Sequence, residues 1–138
     1  MSFQSDIRAG TLVQPAVQRA HRGRTAHLAG QSAEYQIAED YARRGFALAQ
    51  QRWRGQSGEI DLILRDGDGL IFVEVKQARD FARAAQSLSA RQMARIYRSA
   101  EEFLAGEPRG SLTEVRFDVA LVDRQGQTQI LENAFGHA

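Results

Sequence analysis

The sequence has no cysteine, only two prolines and no long apolar run. Without cysteine there are no disulfides, no thiolate nucleophiles and no cysteine-based zinc or iron–sulfur sites. Such a composition fits a reducing compartment, so we expect a cytoplasmic protein. The longest apolar stretch of the main body, residues 70–73, is far shorter than the roughly 20 residues of a membrane-spanning helix. The amino terminus lacks the apolar segment of a secretory signal, and we expect no membrane partner.

A strong charge of one sign is also lacking. The net charge is +1 at pH 7, which excludes a uniformly basic coat and means that a polyanion would have to bind a local patch. Lysine is nearly absent, because 17 of the 18 basic residues are arginine and only Lys76 is not. A compact ammonium and a planar guanidinium form different hydrogen bonds, so a lone lysine indicates a position where arginine cannot substitute. A coding bias toward arginine explains the same composition.

The length of 138 residues predicts one domain with a real hydrophobic core. Residues 1–29 differ from the rest, because they hold four arginines against one acid and contain Gly10, Pro15 and Gly23, which interrupt any periodicity. This composition predicts a mobile, basic amino-terminal arm. Residues 30–138 are predicted to form a single domain.

The hydrophobic periodicity of that domain predicts the element order α-β-β-β-α-β-β. The first helix ends at Gly45, and the second begins at Ser87 or Ser89 and ends near Ala105. The predicted elements are a helix over 31–44, strands over 46–53, 59–65 and 70–76, a second helix, and strands over 115–122 and 128–132.

The hairpin between the second and third strands carries the charged residues of interest. If residues 66–69 (Asp-Gly-Asp-Gly) form its turn, Asp61 lies directly across from Glu74, and Glu59 faces Lys76. Strand alternation places these four side chains on one face. The opposite face is aliphatic and consists of Ile60, Leu62, Leu64, Ile71, Val73 and Val75. Because even the charged face becomes apolar nearer the turn, we expect central strands covered on both sides.

Two facing carboxylates in an apolar sheet need a compensating positive charge. Opposed like charges destabilise a strand pair, and buried carboxylates are costly unless they are paired or bind a metal. Lys76 supplies one charge and a divalent cation supplies two. With no cysteine and no histidine in the core, Asp61 and Glu74 favour Mg²⁺ or Mn²⁺ over zinc. A structural ion-pair cluster is an equally good interpretation of the residues alone.

Glu34 is unexpected on the apolar stripe that Ile37 and Tyr41 define in the first helix. It either joins Asp61 and Glu74 or simply interacts with the helix dipole. Carboxylates that hold Mg²⁺ beside a lysine suit phosphodiester hydrolysis, because the cation activates water and neutralises charge on the phosphate. Lys76 could then orient the water or stabilise the transition state.

Two strand motifs, residues 58–63 (GEIDLI) and 72–76 (FVEVK), resemble the YraN-type family of predicted endonucleases. That family is similar to archaeal Holliday junction resolvases and to the restriction-endonuclease-like, PD-(D/E)XK nuclease fold. The resemblance extends over about residues 30–135. It implies an α/β fold in which helices flank a mixed central sheet. The site residues that it implies are the metal ligands Asp61 and Glu74, the catalytic lysine Lys76 and an additional acid from the first helix, Glu34. We predict that Glu34 joins the other two acids as a metal ligand.

The sequence departs from the family pattern immediately after the lysine. Members of the family usually have Thr or Ser and then Arg there, whereas this chain has Gln77 and Ala78, with Arg79 one position later. A lysine that is common near the start of the second helix is replaced by Arg91. These differences leave the acidic set intact and affect the expected phosphate contacts.

The candidate nucleic-acid contacts are arginines: Arg54, Arg79, Arg91, Arg95 and Arg98. Three of them form a ridge on the second helix, although a solvated helix face is the simpler interpretation. Trp53 is expected in the core rather than against a base. The favoured function is a metal-dependent nuclease that acts on DNA rather than RNA, on branched or damaged structures. The alternative is a nucleic-acid-binding or scaffold protein that retains the nuclease fold with little activity. Cutting a junction would require a homodimer.

Overall fold

The computed structural model describes residues 32–134. The predicted amino-terminal arm over residues 1–29 lies outside the described residues. The helices and strands are α1 (residues 32–43), β1 (Ala47–Arg54), β2 (Glu59–Asp66), β3 (Gly69–Gln77), α2 (Phe81–Gln86), α3 (Ala90–Leu104), a 3-10 turn (Gly110–Leu112), β4 (Val115–Val122) and β5 (Thr128–Leu131).

The strands form one mixed sheet in the order β1-β2-β3-β4-β5. Only β3 and β4 are parallel, and the other three neighbouring pairs are antiparallel. The parallel pair requires a crossover, which α2 and α3 supply between the two strands. The domain is therefore a mixed α/β structure with a five-stranded sheet flanked by helices, as the sequence predicted.

Helix α1 covers one face of the sheet. Ile37 and Tyr41 are buried against a cluster that includes Leu62, Leu64 and Val73. The helix ends as predicted at Gly45, which has a φ of 98°, and the N–H of Phe46 donates to the carbonyl of Tyr41 at 3.0 Å. This left-handed glycine turns the chain directly into β1.

Helix α3 covers the other face. Ile96 and Ala100 pack with Ile63, Leu70 and Phe72, whose side chains alternate with those under α1. Ser89 begins the helix with a capping box, since its hydroxyl accepts from the N–H of Gln92 and the Gln92 side chain accepts from the N–H of Ser89. The central strands are thus covered on both sides, as predicted.

The six-residue helix α2 was not predicted from the sequence. A segment this short gives no reliable periodicity, but its N-cap could have revealed it. Asp80 precedes the helix, and its carboxylate accepts from the N–H of Arg83 at 2.9 Å. None of the helices in residues 32–134 is long and apolar enough to cross a lipid bilayer.

The β2–β3 hairpin has the predicted register. Leu62 pairs with Val73, and the pairing runs regularly to Asp66 and Gly69 at the turn. The turn includes Gly67 at a φ of 60°, a conformation that favours glycine.

Two details at the far end of the hairpin correct the prediction. Ile60 packs in the α3 cluster, not with Leu62 under α1, so β2 does not alternate regularly between these residues. Glu59 pairs with Arg54 of β1, and the pairing of β2 with β3 ends at Leu62. The irregularity lies at Asp61, beside the neighbouring strand's Arg52, whose φ is 52°. A non-glycine residue in this conformation changes the direction of its strand.

Candidate functional site

Asp61 lies where β2 separates from β3. Its Oδ2 accepts a hydrogen bond from the N–H of Val75 at 2.8 Å, so the side chain takes the place of a strand-to-strand backbone bond. The carboxylate is partly buried. Burial, followed by the negative charge of nearby Glu74, raises the pKa of Asp61 to about 7, against the opposing effect of the Val75 N–H. The protein thus holds Asp61 in a position that disfavours its charged form.

Glu74 and Lys76 project from β3 beside Asp61. Glu74 is 7% exposed, and its Oε2 lies 3.4 Å from the Lys76 Nζ. Burial raises the pKa of Glu74, while the positive charges of Lys76 and Arg95 act in the opposite direction. The structure therefore brings together three of the predicted site residues, Asp61, Glu74 and Lys76.

Glu34 approaches this group from α1. Its negative charge contributes to the raised pKa values of both Asp61 and Glu74, which places it within electrostatic range of each. The Oε1 of Glu34 also accepts a hydrogen bond from the Nε of Arg52 at 2.9 Å. The pairing of Arg52 with Glu34 was not predicted from the sequence, because the two residues are 18 positions apart and only tertiary packing brings them together.

The donor set is suited to a hard divalent cation. Across residues 32–134, no group of three or more acidic or histidine side chains is arranged to hold a metal ion, so the structure does not bring Glu34, Asp61 and Glu74 together as the predicted set of three ligands. The ligand pair that fits is Asp61 and Glu74, whose oxygens suit Mg²⁺ or Mn²⁺, because Mg²⁺ commonly binds one or two carboxylates and keeps several waters. A cation there would favour the charged forms of both carboxylates, which burial disfavours.

The five arginines predicted to contact nucleic acid are in different environments. Arg79, Arg91 and Arg98 are exposed. The Nη2 of Arg54 lies 3.2 Å from a carboxylate oxygen of Glu59. Arg95 is half-buried, so the predicted ridge on α3 consists of two exposed arginines and one that points into the structure.

Arg95 connects α3 to the candidate site. Its Nη1 donates to the carbonyl oxygen of Glu59 at 2.9 Å, and its charge acts on Glu74. Trp53 packs edge-on against Phe103 with ring centroids 5.3 Å apart, as expected for a core residue.

A second buried acid, Asp118 on β4, lies under α1 and is fully buried. It accepts from the Tyr41 hydroxyl at 2.7 Å, from the Asn133 N–H at 2.8 Å and from two nitrogens of Arg116, each at 2.9 Å. This network joins α1, β4 and the chain after β5. Asp118 therefore stabilises the fold through partners other than Asp61 and Glu74.

Comparison with known proteins places the chain in a family. A family model described as uncharacterised protein family UPF0102 matches residues 33–122, a range that contains the candidate site. A UPF0102 protein of Ruegeria pomeroyi is 63% identical over 118 residues, which are 86% of this chain and 96% of the relative. A UPF0102 protein of Cereibacter sphaeroides is 58% identical over 113 residues, 82% of this chain and 97% of the relative. A third, from Roseobacter denitrificans, is 53% identical over 116 residues, 84% of this chain and 90% of the relative. The chain belongs to the uncharacterised protein family UPF0102.

Proposed function

We propose that this protein is a Mg²⁺- or Mn²⁺-dependent nuclease of the restriction-endonuclease-like type, hydrolysing phosphodiester bonds of DNA. One observation carries the proposal. Two carboxylates, Asp61 and Glu74, are held side by side out of bulk water with raised pKa values, and the chain's single lysine lies next to them. Carboxylates with strongly perturbed pKa values cluster at functional sites.

The chain's own residues then have distinct roles. Asp61 uses Oδ2 to accept from Val75, which fixes the carboxylate, and its Oδ1 would be the oxygen that binds the cation. Glu74 supplies the second carboxylate. The bound cation would activate a water molecule and neutralise charge on the phosphate. Lys76, 3.4 Å from Glu74, is placed to donate to a phosphate oxygen as negative charge develops there.

DNA is the substrate that we propose because exposed arginines lie on the helix that contacts the site. Arg91 and Arg98 lie on α3, the helix whose Arg95 reaches the Glu59 carbonyl. Arginines on such a helix can follow a phosphate backbone without reading sequence. Branched or damaged DNA remains the proposed substrate class, and a homodimer would be needed to cut both strands of a junction.

The test combines metal binding with cleavage. Mn²⁺ should raise the melting temperature of the native protein and support cleavage of branched and duplex DNA, and Asp61→Asn should lose both effects. Asp68→Asn changes an exposed acid in the hairpin turn and serves as the matched control, which should behave like the native protein. If Mn²⁺ gives neither stabilisation nor cleavage in the native protein, the nuclease proposal is wrong.

The second candidate function is a nucleic-acid-binding or scaffold protein with this fold. It is favoured by the absence, within residues 32–134, of a three-acid metal group, and by Gln77 and Ala78 after the lysine. This candidate predicts DNA binding that is unaffected by Mn²⁺ and by Asp61→Asn. The same experiment therefore separates the two functions.

A further inference from the structure

A four-residue loop, residues 55–58 (Gly-Gln-Ser-Gly), joins β1 to β2 and leads directly to Asp61. Helix α3 lies against this loop and contacts it through side chains at positions 95, 99 and 102. These positions are four and three residues apart, so they form one stripe along the helix. We call this stripe, which consists of Arg95, Ser99 and Glu102, the α3 clamp.

Glu102 makes more hydrogen bonds to the loop than the other two clamp residues. Its Oε1 accepts from the N–H of Gln56 at 2.7 Å, and its Oε2 accepts from the N–H and the hydroxyl of Ser57 at 3.0 and 2.7 Å. These hydrogen bonds lower the pKa of Glu102, so its carboxylate is ionised at neutral pH. Charge-assisted hydrogen bonds of this kind hold the loop more firmly than neutral ones.

The other two clamp residues hold the exit of the loop. The hydroxyl of Ser99, which is completely buried, donates to the carbonyl of Gly58 at 3.2 Å. The Nη1 of Arg95 donates to the carbonyl of Glu59 at 2.9 Å. The last of these contacts is only two residues before Asp61, so the clamp fixes the backbone from which that side chain projects.

The loop fits tightly under the helix. A Cβ added at Gly55 would lie 2.3 Å from the Glu102 carboxylate and 2.8 Å from the Trp53 ring. A Cβ at Gly58, whose φ is 143°, would lie 2.5 Å from the Arg95 guanidinium. A side chain at Gly55 would therefore force the Trp53 ring and the Glu102 carboxylate to shift, and one at Gly58 would displace Arg95 and strain the backbone at its positive φ.

We propose that Ser99 and Glu102 are positioning residues for Asp61, which set its carboxylate against Glu74 by fixing loop 55–58 to α3. The inference rests on the proposed function for its purpose, since that pair is the proposed metal site. It concerns residues that make no contact with either carboxylate. Arg95 belongs to the same stripe and also acts on the charge of Glu74, so one helix determines the surroundings of both acids.

The hydrogen bond between Asp61 and the Val75 N–H tests the inference without any metal. If the clamp positions Asp61, Glu102→Ala should increase the hydrogen-exchange rate of the Val75 amide about tenfold or more, measured by NMR well below the melting temperature. Glu101→Ala changes the adjacent exposed acid of α3 and should leave that rate unchanged. An unchanged Val75 rate in Glu102→Ala would overturn the inference.

Metal affinity gives a second measurement and separates the inference from the proposed function. In the native protein Mn²⁺ should bind. Glu102→Ala should raise the Kd for Mn²⁺ about 10- to 100-fold, as substitutions of residues that support metal ligands do. A merely structural clamp would lower the melting temperature without changing Mn²⁺ affinity in the folded protein, and this result would overturn the inference. Failure of the native protein to bind Mn²⁺ would instead overturn the proposed function, while the Val75 amide still decides the role of the clamp.

Milder substitutions keep the test decisive if Glu102→Ala does not fold. Glu102→Gln retains one acceptor oxygen but not the charge, and Ser99→Ala removes only the hydroxyl contact with Gly58. We expect intermediate increases in the Val75 exchange rate from both variants. Native exchange in both would contradict the positioning role.

Discussion

Asp61 and Asp118 are acids of the same type inside the same small domain, yet their surroundings differ. The carboxylate of Asp118 accepts four hydrogen bonds, from Tyr41, Asn133 and Arg116. Among the described residues, Asp61 accepts one, from the Val75 N–H, and it faces another acid, Glu74. The carboxylate of Asp118 is therefore fully paired, whereas that of Asp61 lies near the like charge of Glu74, which a bound cation would neutralise.

This difference separates a structural acid from a candidate functional one. A buried charge that is fully hydrogen-bonded and paired with arginine needs nothing further. A partly buried charge next to a like charge destabilises the protein on its own, and such destabilisation persists where binding or catalysis uses it. The environment of each acid, rather than its burial alone, therefore indicates which of them could bind a cation.

The largest expected effect would follow from breaking the compensated network. Asp118→Ala removes the acceptor for Tyr41 and leaves Arg116 without its buried partner, so the free energy of unfolding should fall by about 3–5 kcal/mol. Urea unfolding measures this loss. A loss below about 1 kcal/mol would mean that the network does not stabilise the domain.

The next largest effect is expected on the rate of cleavage, with no change in the stability of the fold. Lys76→Ala should lower the cleavage rate about 10²–10³-fold, because it removes a donor to the charge that develops on the phosphate. Circular dichroism and the Mn²⁺-induced rise in melting temperature should show that fold and metal binding remain. Cleavage at the native rate would remove Lys76 from the mechanism.

A third effect, comparable in size, should appear as a pH dependence of stability. The pKa of Asp61 in the folded protein, about 7, lies above its ordinary value of 3.8, so the folded state binds the proton more tightly. The metal-free native protein should therefore lose stability as the pH rises from about 4 to 7. Asp61→Asn, which has no carboxylate at this position, should not show this loss. By pH 8 the gap between variant and native protein, measured by urea unfolding at each pH, should have widened by up to about 4 kcal/mol in favour of Asp61→Asn. A gap that is independent of pH would show that Asp61 is not destabilised by its surroundings.

The smallest effect is expected at the exposed arginines. Arg91→Ala and Arg98→Ala should each reduce the slope of log binding constant against log salt concentration by about 1, with little dependence on DNA sequence. Arg43→Ala, an exposed arginine on α1, is the control and should leave the slope unchanged. Equal slopes for all variants would exclude α3 from the DNA-binding surface.

The hairpin and its acids could be predicted because they depend on local sequence. Residues 66–69 form a turn whose chemistry fixes the register, and the register brings Asp61 close to Glu74. The face of Ile60 could not be predicted, because β2 departs from regular alternation between Ile60 and Leu62 and no residue pattern in the sequence marks that departure. The α3 clamp was also beyond sequence analysis, since Glu102 lies 45 residues from Ser57 and only tertiary packing brings them together.

The most direct measurement is anomalous scattering from crystals soaked in Mn²⁺. We predict one strong anomalous peak within coordination distance of both the Asp61 and the Glu74 carboxylates, and no peak beside Asp118. The same soak of Asp61→Asn should abolish the peak. Fully soaked native crystals with no peak between Asp61 and Glu74 would contradict the assignment of this pair as the metal site.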